Sequence, residues 1–455
     1  MIPASHLIHL IITEDLNRIT IRCLGYRGNA GRLGEWSSAG YEDRRNGRLD
    51  TLQVAIQAGQ TVICCYEEGK WMIKGTTVAA KKPYSREKGE SMGRDLVHQL
   101  GRAPNACWLF CEPGERMHDL LAGIYATVGT ENLVGCTTDG EISSAGFSTG
   151  SAVLGGIASH AVKFQVAAVT GIKTDSEGSG RRLGERLPRA ARHVQMFSDG
   201  LTGNGSALLR GMNRVFGPGV TISGGTAGDA RAFAQTWQFI GDKVLTDAAV
   251  GISFTGDFQV GTGVRSGWIR AGIPKKVTRA SGNVVYQLDD ESALAVYRRY
   301  LGPLASRLPA VGVQFPFGLV DDSENLGDDP VLRAPMALDE ADGSVTFAGE
   351  IPEGSTICLC TGGMSDNLLN ASAEAARRAV DALSGTFPSM IFFYSCMARK
   401  IILGPLAGEE TQRVSTAVGR GIPVIGFYTY GEYCPSTNGA ECRLHNETAT
   451  ITIVG

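Results

Sequence analysis

Short apolar runs and helical stretches alternate along most of the chain. The run ACWLFCE at 106–112 has the continuous apolar character of a buried strand, MHDLLAGIYATVG at 117–129 places apolar residues at helical spacing, and NLVGCTT at 132–138 is a second apolar run. This order predicts a strand–helix–strand unit. The pattern recurs at 193–226 and at 389–430. The sequence therefore predicts an α/β fold in which repeated strand–helix–strand units form mixed sheets in two related lobes.

The second strand of each unit runs out into the same four-residue pattern, T-x-G-[DE]. Its copies are Thr138-Asp139-Gly140-Glu141, Thr226-Ala227-Gly228-Asp229 and Thr429-Tyr430-Gly431-Glu432. A glycine precedes each copy inside the strand end, and β-like sequence follows it. Ordinary turns are one interpretation, because turns favour glycine and acidic residues. Ligands of open α/β sheets bind where strands end and the backbone comes close, so the threefold recurrence favours a ligand site.

Outside these units the sequence is less regular. Residues 1–72 are polar and rich in glycine and form an N-terminal extension of unknown role, with one strand-like run, TVICCY, at 61–66. A polar, turn-rich stretch at 271–285 marks a second boundary. Beyond it, VTFAGEIPEGSTICLC at 345–360 predicts an extended hairpin, and DNLLNASAEAARRAVDALSG at 366–385 predicts a helix.

Composition and charge narrow the class of protein. Glycine accounts for 60 of the 455 residues without a Gly-X-Y period, and 43% of residues are apolar, which excludes a collagen-like or disordered chain. The 43 basic residues balance 46 acidic ones without clustering, so we expect no nucleic-acid partner. We expect a cytoplasmic protein without membrane insertion, because we see neither a signal peptide nor a long apolar run. The 11 cysteines lack disulfide or zinc spacing, which indicates reduced thiols.

Fingerprints of the common nucleotide-binding and hydrolytic sites are missing. The chain has no P-loop, no G-x-G-x-x-G in a strand–helix context and no H-E-x-x-H. We therefore predict that the protein is not an enzyme. One alternative is a Cys396-dependent enzyme, in which His445 or Glu432 activates the thiol. A buried structural cysteine is the other interpretation of Cys396.

The remaining residues form the inventory of a small-molecule receptor. Carboxylates at the strand ends can pair with an ammonium group, and a guanidinium such as that of Arg399 can bind a carboxylate through two hydrogen bonds. This combination suits a small zwitterion such as an amino acid. The predicted ligand-binding residues are Thr138, Gly140, Glu141, Gly225, Asp229, Trp268, Cys396, Arg399, Tyr428, Thr429, Gly431, Glu432 and Asn446.

Several motifs make the sequence resemble the FIST (F-box and intracellular signal transduction) family. They are LVGCTTDGEI at 133–142, FSDGLTGNGSALLRGMNRVFGPGVTISGGTAGD at 197–229, Gly267-Trp268 with VTRASGNVVYQLDDESALAVY at 277–297, SCMAR at 395–399, GFYTYGEY at 426–433 and HNET at 445–448. The resemblance implies a FIST N-terminal domain at 73–274 and a FIST C-terminal domain at 275–455. It implies a cytoplasmic sensory module that binds small ligands such as amino acids and signals through a partner, for example a histidine kinase or a cyclic-di-GMP enzyme.

Some members of the family are similar in binding haem and sensing nitric oxide. A haem-dependent sensor acting through a partner histidine kinase is therefore a further alternative. It would need an axial His, Cys or Tyr in a mostly apolar pocket. The seven histidines show no metal-ligand spacing, and His445 and His160 are the candidates for the axial ligand. The sequence predicts no metal site and no cofactor, with haem as the alternative.

Overall fold

The computed structural model describes residues 73–320, 330–362, 365–437 and 439–455 and, before them, the backbone of three strands. These strands, β1 (Trp36–Asp43), β2 (Arg48–Gln57) and β3 (Gln60–Cys64), form an antiparallel sheet in the order β1-β2-β3 and belong to a compact unit of their own. The rest of the predicted extension at 1–72, including the last two residues of TVICCY, lies outside the described residues.

Strands and helices alternate through the rest of the described chain. The strands are β4 (Ile73–Lys81), β5 (Ala106–Cys111), β6 (Leu133–Thr137), β7 (Glu141–Ser143), β8 (Gly146–Ser148), β9 (Ser151–Ser159), β10 (Val162–Thr170), β11 (His193–Ser198), β12 (Thr221–Thr226), β13 (Gln238–Ile240), β14 (Lys243–Leu245), β15 (Ala248–Gly256), β16 (Val260–Arg265), β17 (Trp268–Arg270), β18 (Lys275–Ser281), β19 (Val284–Leu288), β20 (Glu291–Ser292), β21 (Phe317–Leu319), β22 (Val331–Arg333), β23 (Pro335–Asp339), β24 (Ser344–Phe347), β25 (Thr356–Gly362), β26 (Met390–Cys396), β27 (Val424–Thr429), β28 (Glu432–Pro435), β29 (Cys442–His445) and β30 (Ala449–Val454). The helices are α1 (Arg86–Leu100), α2 (Met117–Val128), α3 (Ser176–Glu185), α4 (Gly205–Phe216), α5 (Ala293–Leu301), α6 (Ser365–Ala382), α7 (Met397–Leu403) and α8 (Ala407–Val418). Short 3-10 helices span Gly302–Arg307, Ala310–Gln314 and Gly404–Leu406.

Three repeats of one element order build most of the fold: strand, helix, strand, helix, strand, hairpin, strand. Repeat 1 (73–159) runs from β4 to β9, and repeat 2 (162–256) runs from β10 to β15. Repeat 3 (260–454) runs from β16 to β30 and carries an inserted sheet between β16 and α6. The predicted strand–helix–strand units are β5-α2-β6, β11-α4-β12 and β26-α8-β27, and their paired strands are parallel. The α/β class with mixed sheets is confirmed.

The hairpin of each repeat joins the sheet of another repeat. The β7-β8 hairpin of repeat 1 pairs with β27, the β13-β14 hairpin of repeat 2 pairs with β6, and the β28-β29 hairpin of repeat 3 pairs with β12. Equivalent strands therefore follow one another in the same order in all three sheets: β4-β9-β5-β6-β13-β14, β10-β15-β11-β12-β28-β29 and β16-β30-β26-β27-β7-β8. The chain crosses to another sheet directly after each of the strands β6, β12 and β27. The ends of these three strands therefore lie side by side.

The three sheets enclose a shared aromatic core. Phe110, Phe197 and Tyr394 take equivalent positions on β5, β11 and β26, and their ring centroids are 5.1 Å, 6.2 Å and 5.8 Å apart in pairs. Helices cover the outer faces, α1 and α2 on the first sheet, α3 and α4 on the second, and α6 and α8 on the third. Burial of each large aromatic side chain contributes about 2 kcal/mol, which makes this core a principal stabilising element.

The inserted segment of repeat 3 forms a sheet with its own core around Tyr297, Phe317 and Phe347. The predicted hairpin at 345–360 is wrong, because β24 pairs with β19 and β23, whereas β25 pairs with β17, β18 and β21. The connection at 348–355 is too long for a tight turn, so the two strands part and find other neighbours. Among the described helices, none is both long and apolar enough to cross a bilayer.

Candidate functional site

The three T-x-G-[DE] turns lie together at the ends of β6, β12 and β27. Backbone hydrogen bonds of 2.8–2.9 Å connect them in a ring, from Asp139 N–H to the Tyr428 carbonyl, from Gly228 N–H to the Thr137 carbonyl and from Thr226 N–H to the Gly431 carbonyl. The Thr429 hydroxyl reinforces the ring by donating to the Thr226 carbonyl at 2.8 Å. The Gly140 carbonyl accepts the Tyr428 N–H at 2.8 Å. The structure thus brings together the strand ends that the recurrent motif indicates.

A glycine in each strand end lets the neighbouring strand approach closely. Gly135, Gly224 and Gly426 face Leu109, Met196 and Phe393 across the parallel ladders. A Cβ atom at any of the three glycines would overlap the carbonyl oxygen of the residue it faces. These positions therefore require glycine, which has no Cβ.

The same glycines define which residues of the turns are equivalent. Counted from them, Glu141 of repeat 1 matches Glu432 of repeat 3, whereas the matching residue of repeat 2 is Ala230. Asp229, the acidic residue of the second motif, comes one position earlier. The expected equivalence of the three motifs is therefore wrong for repeat 2, in which the glutamate position is occupied by alanine.

Asp229 stabilises the loop that follows it. Its carboxylate accepts the N–H groups of Phe233, Ala234 and Gln235 at 2.7–3.0 Å and the Tyr430 hydroxyl at 2.5 Å. Burial acts to raise the pKa of Asp229, but these hydrogen bonds together lower it. Both carboxylate oxygens thus have partners within the protein.

Glu141 and Glu432 are buried at their equivalent positions and bind hydroxyl groups. Glu141 accepts hydrogen bonds from the hydroxyls of Thr138 and Ser151 through both oxygens. Glu432 accepts through Oε2, from the N–H of Thr448 at 3.1 Å and its hydroxyl at 2.8 Å. Burial raises the pKa of Glu141 to about 7 and that of Glu432 to about 8, against the opposing effect of these hydrogen bonds. Both groups therefore titrate near neutral pH.

Repeat 3 has buried oxygen atoms with neither an ion pair nor an N–H or O–H donor, whereas the buried carboxylate of Asp139 in repeat 1 forms an ion pair with Lys400. Glu432 Oε1, Asn446 Oδ1 and both carboxylate oxygens of Glu447 have no N–H or O–H donor among the described residues, although the Cys396 thiol hydrogen-bonds to Glu432. Glu432 and Glu447 are 0% exposed and Asn446 is 1% exposed. Burial, and then the charge of Glu432, raise the pKa of Glu447 well above its usual value. We call Cys396, Glu432, Asn446 and Glu447 the repeat-3 cluster.

Cys396 of this cluster lies where the other repeats have a carboxylate. The equivalent residues, Glu112 and Asp199, each accept a backbone N–H from the turn before the last strand of their repeat, at 2.9 and 3.1 Å. In repeat 3, the backbone N–H of Glu447 donates in the same way to the Cys396 sulfur. Burial and the charges of Glu432 and Glu447 raise the pKa of Cys396 well above its usual value. The thiol is therefore protonated at neutral pH.

The Arg399 guanidinium is fully bound within the protein. Its five N–H groups donate to Glu410, to the Ser372 hydroxyl and to the carbonyls of Ser266, Leu368 and Glu447. Two other predicted site residues belong to this network, because the Tyr428 hydroxyl donates to Glu410 at 2.7 Å and the Trp268 ring lies 5.9 Å from the guanidinium. The predicted two-bond contact of Arg399 with a ligand carboxylate would need donors that are already engaged.

The two histidines considered for haem do not fit that group. His160 is exposed in the turn after β9, with Nε2 at 2.6 Å from Arg102 Nη1. His445 is 0% exposed, and its Nε2 donates to the Cys434 carbonyl at 2.9 Å. Burial lowers the pKa of His445 to about 3. An axial ligand must present a free nitrogen to an apolar cavity large enough for the macrocycle. His445 Nδ1 has no hydrogen-bond partner among the described residues, but the ring is 0% exposed and leaves no room beside it for a group as large as a macrocycle, whereas both ring nitrogens of His160 lie against Arg102.

Sequence reasoning missed Glu447, Lys400 and Glu410. Glu447 belongs to the HNET motif, where it is an acidic residue near a strand end and could have been selected on that ground. Lys400 lies beside the first turn, with Nζ at 2.6 Å from Asp139 Oδ2. Glu410 is in the first turn of α8, where an acidic residue is common for reasons of helix electrostatics. Its role with Arg399 is therefore visible only in the structure.

Comparisons with known proteins agree with these motifs. The family model of the FIST N domain matches residues 74–291, and that of the FIST C domain matches residues 293–435. An uncharacterised protein of Mycobacterium tuberculosis is 24% identical over 395 residues, which cover 83% of this chain and 98% of the relative. An uncharacterised protein of Methanocaldococcus jannaschii is 24% identical over 238 residues, which cover 49% of this chain and 45% of the relative.

Solved structures of two cyanuric acid hydrolases share a distant likeness with the chain. One has 10% identity and a TM-score of 0.29, with 85% of this chain and 100% of the hydrolase covered. The other, from A. caulinodans, has 9% identity and a TM-score of 0.30, with 84% and 99% covered. The likeness is too low to bear on function. The two family matches, in contrast, cover most of the chain, which therefore belongs to the FIST family of sensory domains in signal transduction.

Proposed function

We propose that the protein is a non-enzymatic sensor that binds a small ligand with a positively charged nitrogen, such as an amino acid, at the repeat-3 cluster. The observation that carries this proposal is the set of four buried oxygen atoms without an N–H or O–H donor among the described residues. They belong to Glu432, Asn446 and Glu447 and lie beside Cys396 at the end of β26. A ligand group that supplies donors would complete their hydrogen bonding.

The chemistry of the cluster favours a cationic nitrogen. A buried polar atom without a partner costs about 1–3 kcal/mol, so four such atoms destabilise the fold unless a ligand supplies their donors. An ammonium group has three N–H donors and no acceptor, which matches a set of acceptors. Its positive charge also favours the ionised forms of Glu432 and Glu447, which burial disfavours and which a neutral or anionic ligand would not stabilise.

The other two strand ends support a single site rather than three. In repeat 1, both oxygens of Glu141 accept hydroxyl groups of the protein. In repeat 2, alanine replaces the glutamate, and Asp229 is occupied by its own loop. The threefold arrangement thus acts as a scaffold, and repeat 3 carries the groups suited to a ligand.

The catalytic alternative has weaker support. A nucleophilic Cys396 needs a thiolate and a base, but burial and two carboxylates raise the pKa of the thiol. Glu432 holds its proton near neutral pH, because burial raises its pKa to about 8. Burial lowers the pKa of His445 to about 3, which makes its ring a weak base. A haem-dependent nitric-oxide sensor likewise lacks a fitting axial ligand in His445 or His160.

Signalling by such a sensor requires a partner protein. We propose a histidine kinase or a cyclic-di-GMP enzyme as the class of partner, on the basis of the family resemblance. A pull-down of the purified protein against candidate kinases, with and without ligand, would test this. A partner that binds equally with and without ligand would contradict a ligand-dependent role.

A thermal-shift screen tests the ligand site. A ligand that binds the folded state at a hundred times its Kd stabilises it by about 2.7 kcal/mol, which raises the melting temperature. We expect amino acids or simple amines to produce this shift, and Glu432→Gln and Glu447→Gln to reduce it. Glu340→Gln is the matched control, because Glu340 is 65% exposed and paired with Arg298. A ligand that stabilises both cluster variants as it does the wild type would show that it binds elsewhere.

A further inference from the structure

A cavity of about 570 Å³ lies between α4, the inserted sheet and β29. Its walls include Arg210 and Asn213 of α4, Arg333 of β22, Arg443 of β29, and Glu350. None of the four residues of the repeat-3 cluster lines it. Sites for small molecules usually measure about 300–1000 Å³, so the cavity has the size of a ligand site.

Arg333 is the buried charged group of this cavity. Its side chain is 6% exposed and is held by backbone carbonyls alone, with Nε donating to Glu350 at 2.9 Å and Nη1 to Leu332 at 2.9 Å and to Leu444 at 3.1 Å. These contacts use three of the five N–H groups of the guanidinium. The two N–H groups of Nη2 have no acceptor among the described residues.

Within the described part of the chain, the charge of Arg333 is only partly balanced, by the nearby charge of Glu350. No carboxylate in the described part of the chain forms an ion pair with it, and burial and the nearby Arg443 lower its pKa to about 10. Glu350, a carboxylate of the cavity wall, forms its ion pair with Arg210 instead. Buried charges in proteins are normally paired, and the two N–H groups of Nη2 can each donate to an oxygen atom of an oxyanion.

We propose that this cavity is a second ligand site, in which Arg333 Nη2 binds the oxyanion of a small molecule, a carboxylate or a phosphate group. The site goes beyond the proposed function, because its ligand chemistry is opposite in sign to that of the repeat-3 cluster. The three carbonyl contacts fix the guanidinium plane, so the Nη2 donors are oriented before the anion arrives. Arg443 adds a second positive charge at the same wall.

Isothermal titration of the full chain with inorganic phosphate and, separately, with succinate tests this site and distinguishes the two oxyanions. We expect saturable binding of at least one of them, and a Kd at least tenfold weaker in Arg333→Gln. Arg298→Gln is the matched control, since Arg298 on α5 pairs with Glu340 at the surface of the same inserted segment, and its Kd should stay within twofold of the wild type.

Two further variants keep the test decisive if Arg333→Gln does not fold. Arg333→Lys keeps the charge and loses the oriented Nη2 donors, and Arg443→Gln removes the neighbouring charge while leaving Arg333 in place. Both should weaken anion binding at least threefold. Absence of saturable binding by phosphate and by succinate, or an unchanged Kd in the Arg333 variants, would overturn the proposal.

Discussion

Replacement of Glu432 by glutamine should change how the stability of the protein depends on pH. The pKa of Glu432 is raised by burial to about 8 in the folded protein, against 4.5 as its ordinary value. The neutral carboxyl is thus favoured in the folded state, whereas the unfolded chain ionises it above pH 4.5. The stability that this group contributes is complete below pH 4.5 and is lost as the pH rises through about 8.

The expected magnitude follows from the two pKa values. Their difference of about 3.5 corresponds to roughly 5 kcal/mol, of which about 3–4 kcal/mol is lost between pH 5 and pH 8. The amide of Glu432→Gln has nearly the same shape and cannot ionise. Relative to the wild type, the variant should therefore gain roughly 3–4 kcal/mol in its free energy of unfolding as the pH rises from 5 to 8.

Urea unfolding at pH 5, 6, 7 and 8 measures this difference. Titration of all other groups is shared by both proteins and largely cancels in the comparison. Glu340→Gln, at an exposed position, should show a difference from the wild type that is flat within about 0.5 kcal/mol. A flat difference for Glu432→Gln as well would mean that Glu432 is ionised in the folded protein, and would refute the reasoning about its burial.

Three further predictions concern the surroundings of the site. Arg399→Met should cost about 3–5 kcal/mol in urea unfolding, because it leaves Glu410 buried without its ion pair, which measures 2.8 Å; a cost below 1 kcal/mol would contradict this. Gly426→Ala should cost about 3 kcal/mol or more through overlap with the Phe393 carbonyl, whereas Gly408→Ala, in open space on α8, should be neutral or slightly stabilising. Iodoacetamide should leave Cys396 unmodified in the native protein and modify it after unfolding, as judged by peptide mass spectrometry, and rapid native labelling would argue for the nucleophile.

Local patterns sufficed to predict the strand–helix–strand units and their strand ends. A buried parallel strand appears in the sequence as a continuous apolar run, as in ACWLFCE. Two such runs separated by an amphipathic helix predict a strand–helix–strand unit with parallel strands. The exchange of hairpins among the repeats could not be predicted in this way. The strands β7 and β8 have only three residues each, and so short a pattern of apolar and polar residues does not specify which sheet they join.

The candidate site was predictable in part. Glu432 and Cys396 follow from their place after apolar strands, but the missing partner of Glu432 Oε1 depends on every element packed around it. Aligning the three T-x-G-[DE] motifs by residue type places Asp229 one residue away from its structural position. The structurally equivalent residues are found by counting from the glycine in each strand end that faces β5, β11 or β26. Arg399 shows the same limit, since its acceptors come from sequence positions as distant as 266 and 447.

The proton balance of ligand binding tests the central claim most directly. A cation at the repeat-3 cluster stabilises the ionised form of Glu432, which is mostly protonated at pH 7 because burial raises its pKa to about 8. Titration calorimetry with the amino acid or amine of largest thermal shift, in two buffers of different ionisation enthalpy, measures the protons released. We predict a release of about one proton per ligand at pH 7 in the wild type and a clearly smaller release in Glu432→Gln. Zero release or proton uptake in the wild type would contradict a cation site at this cluster.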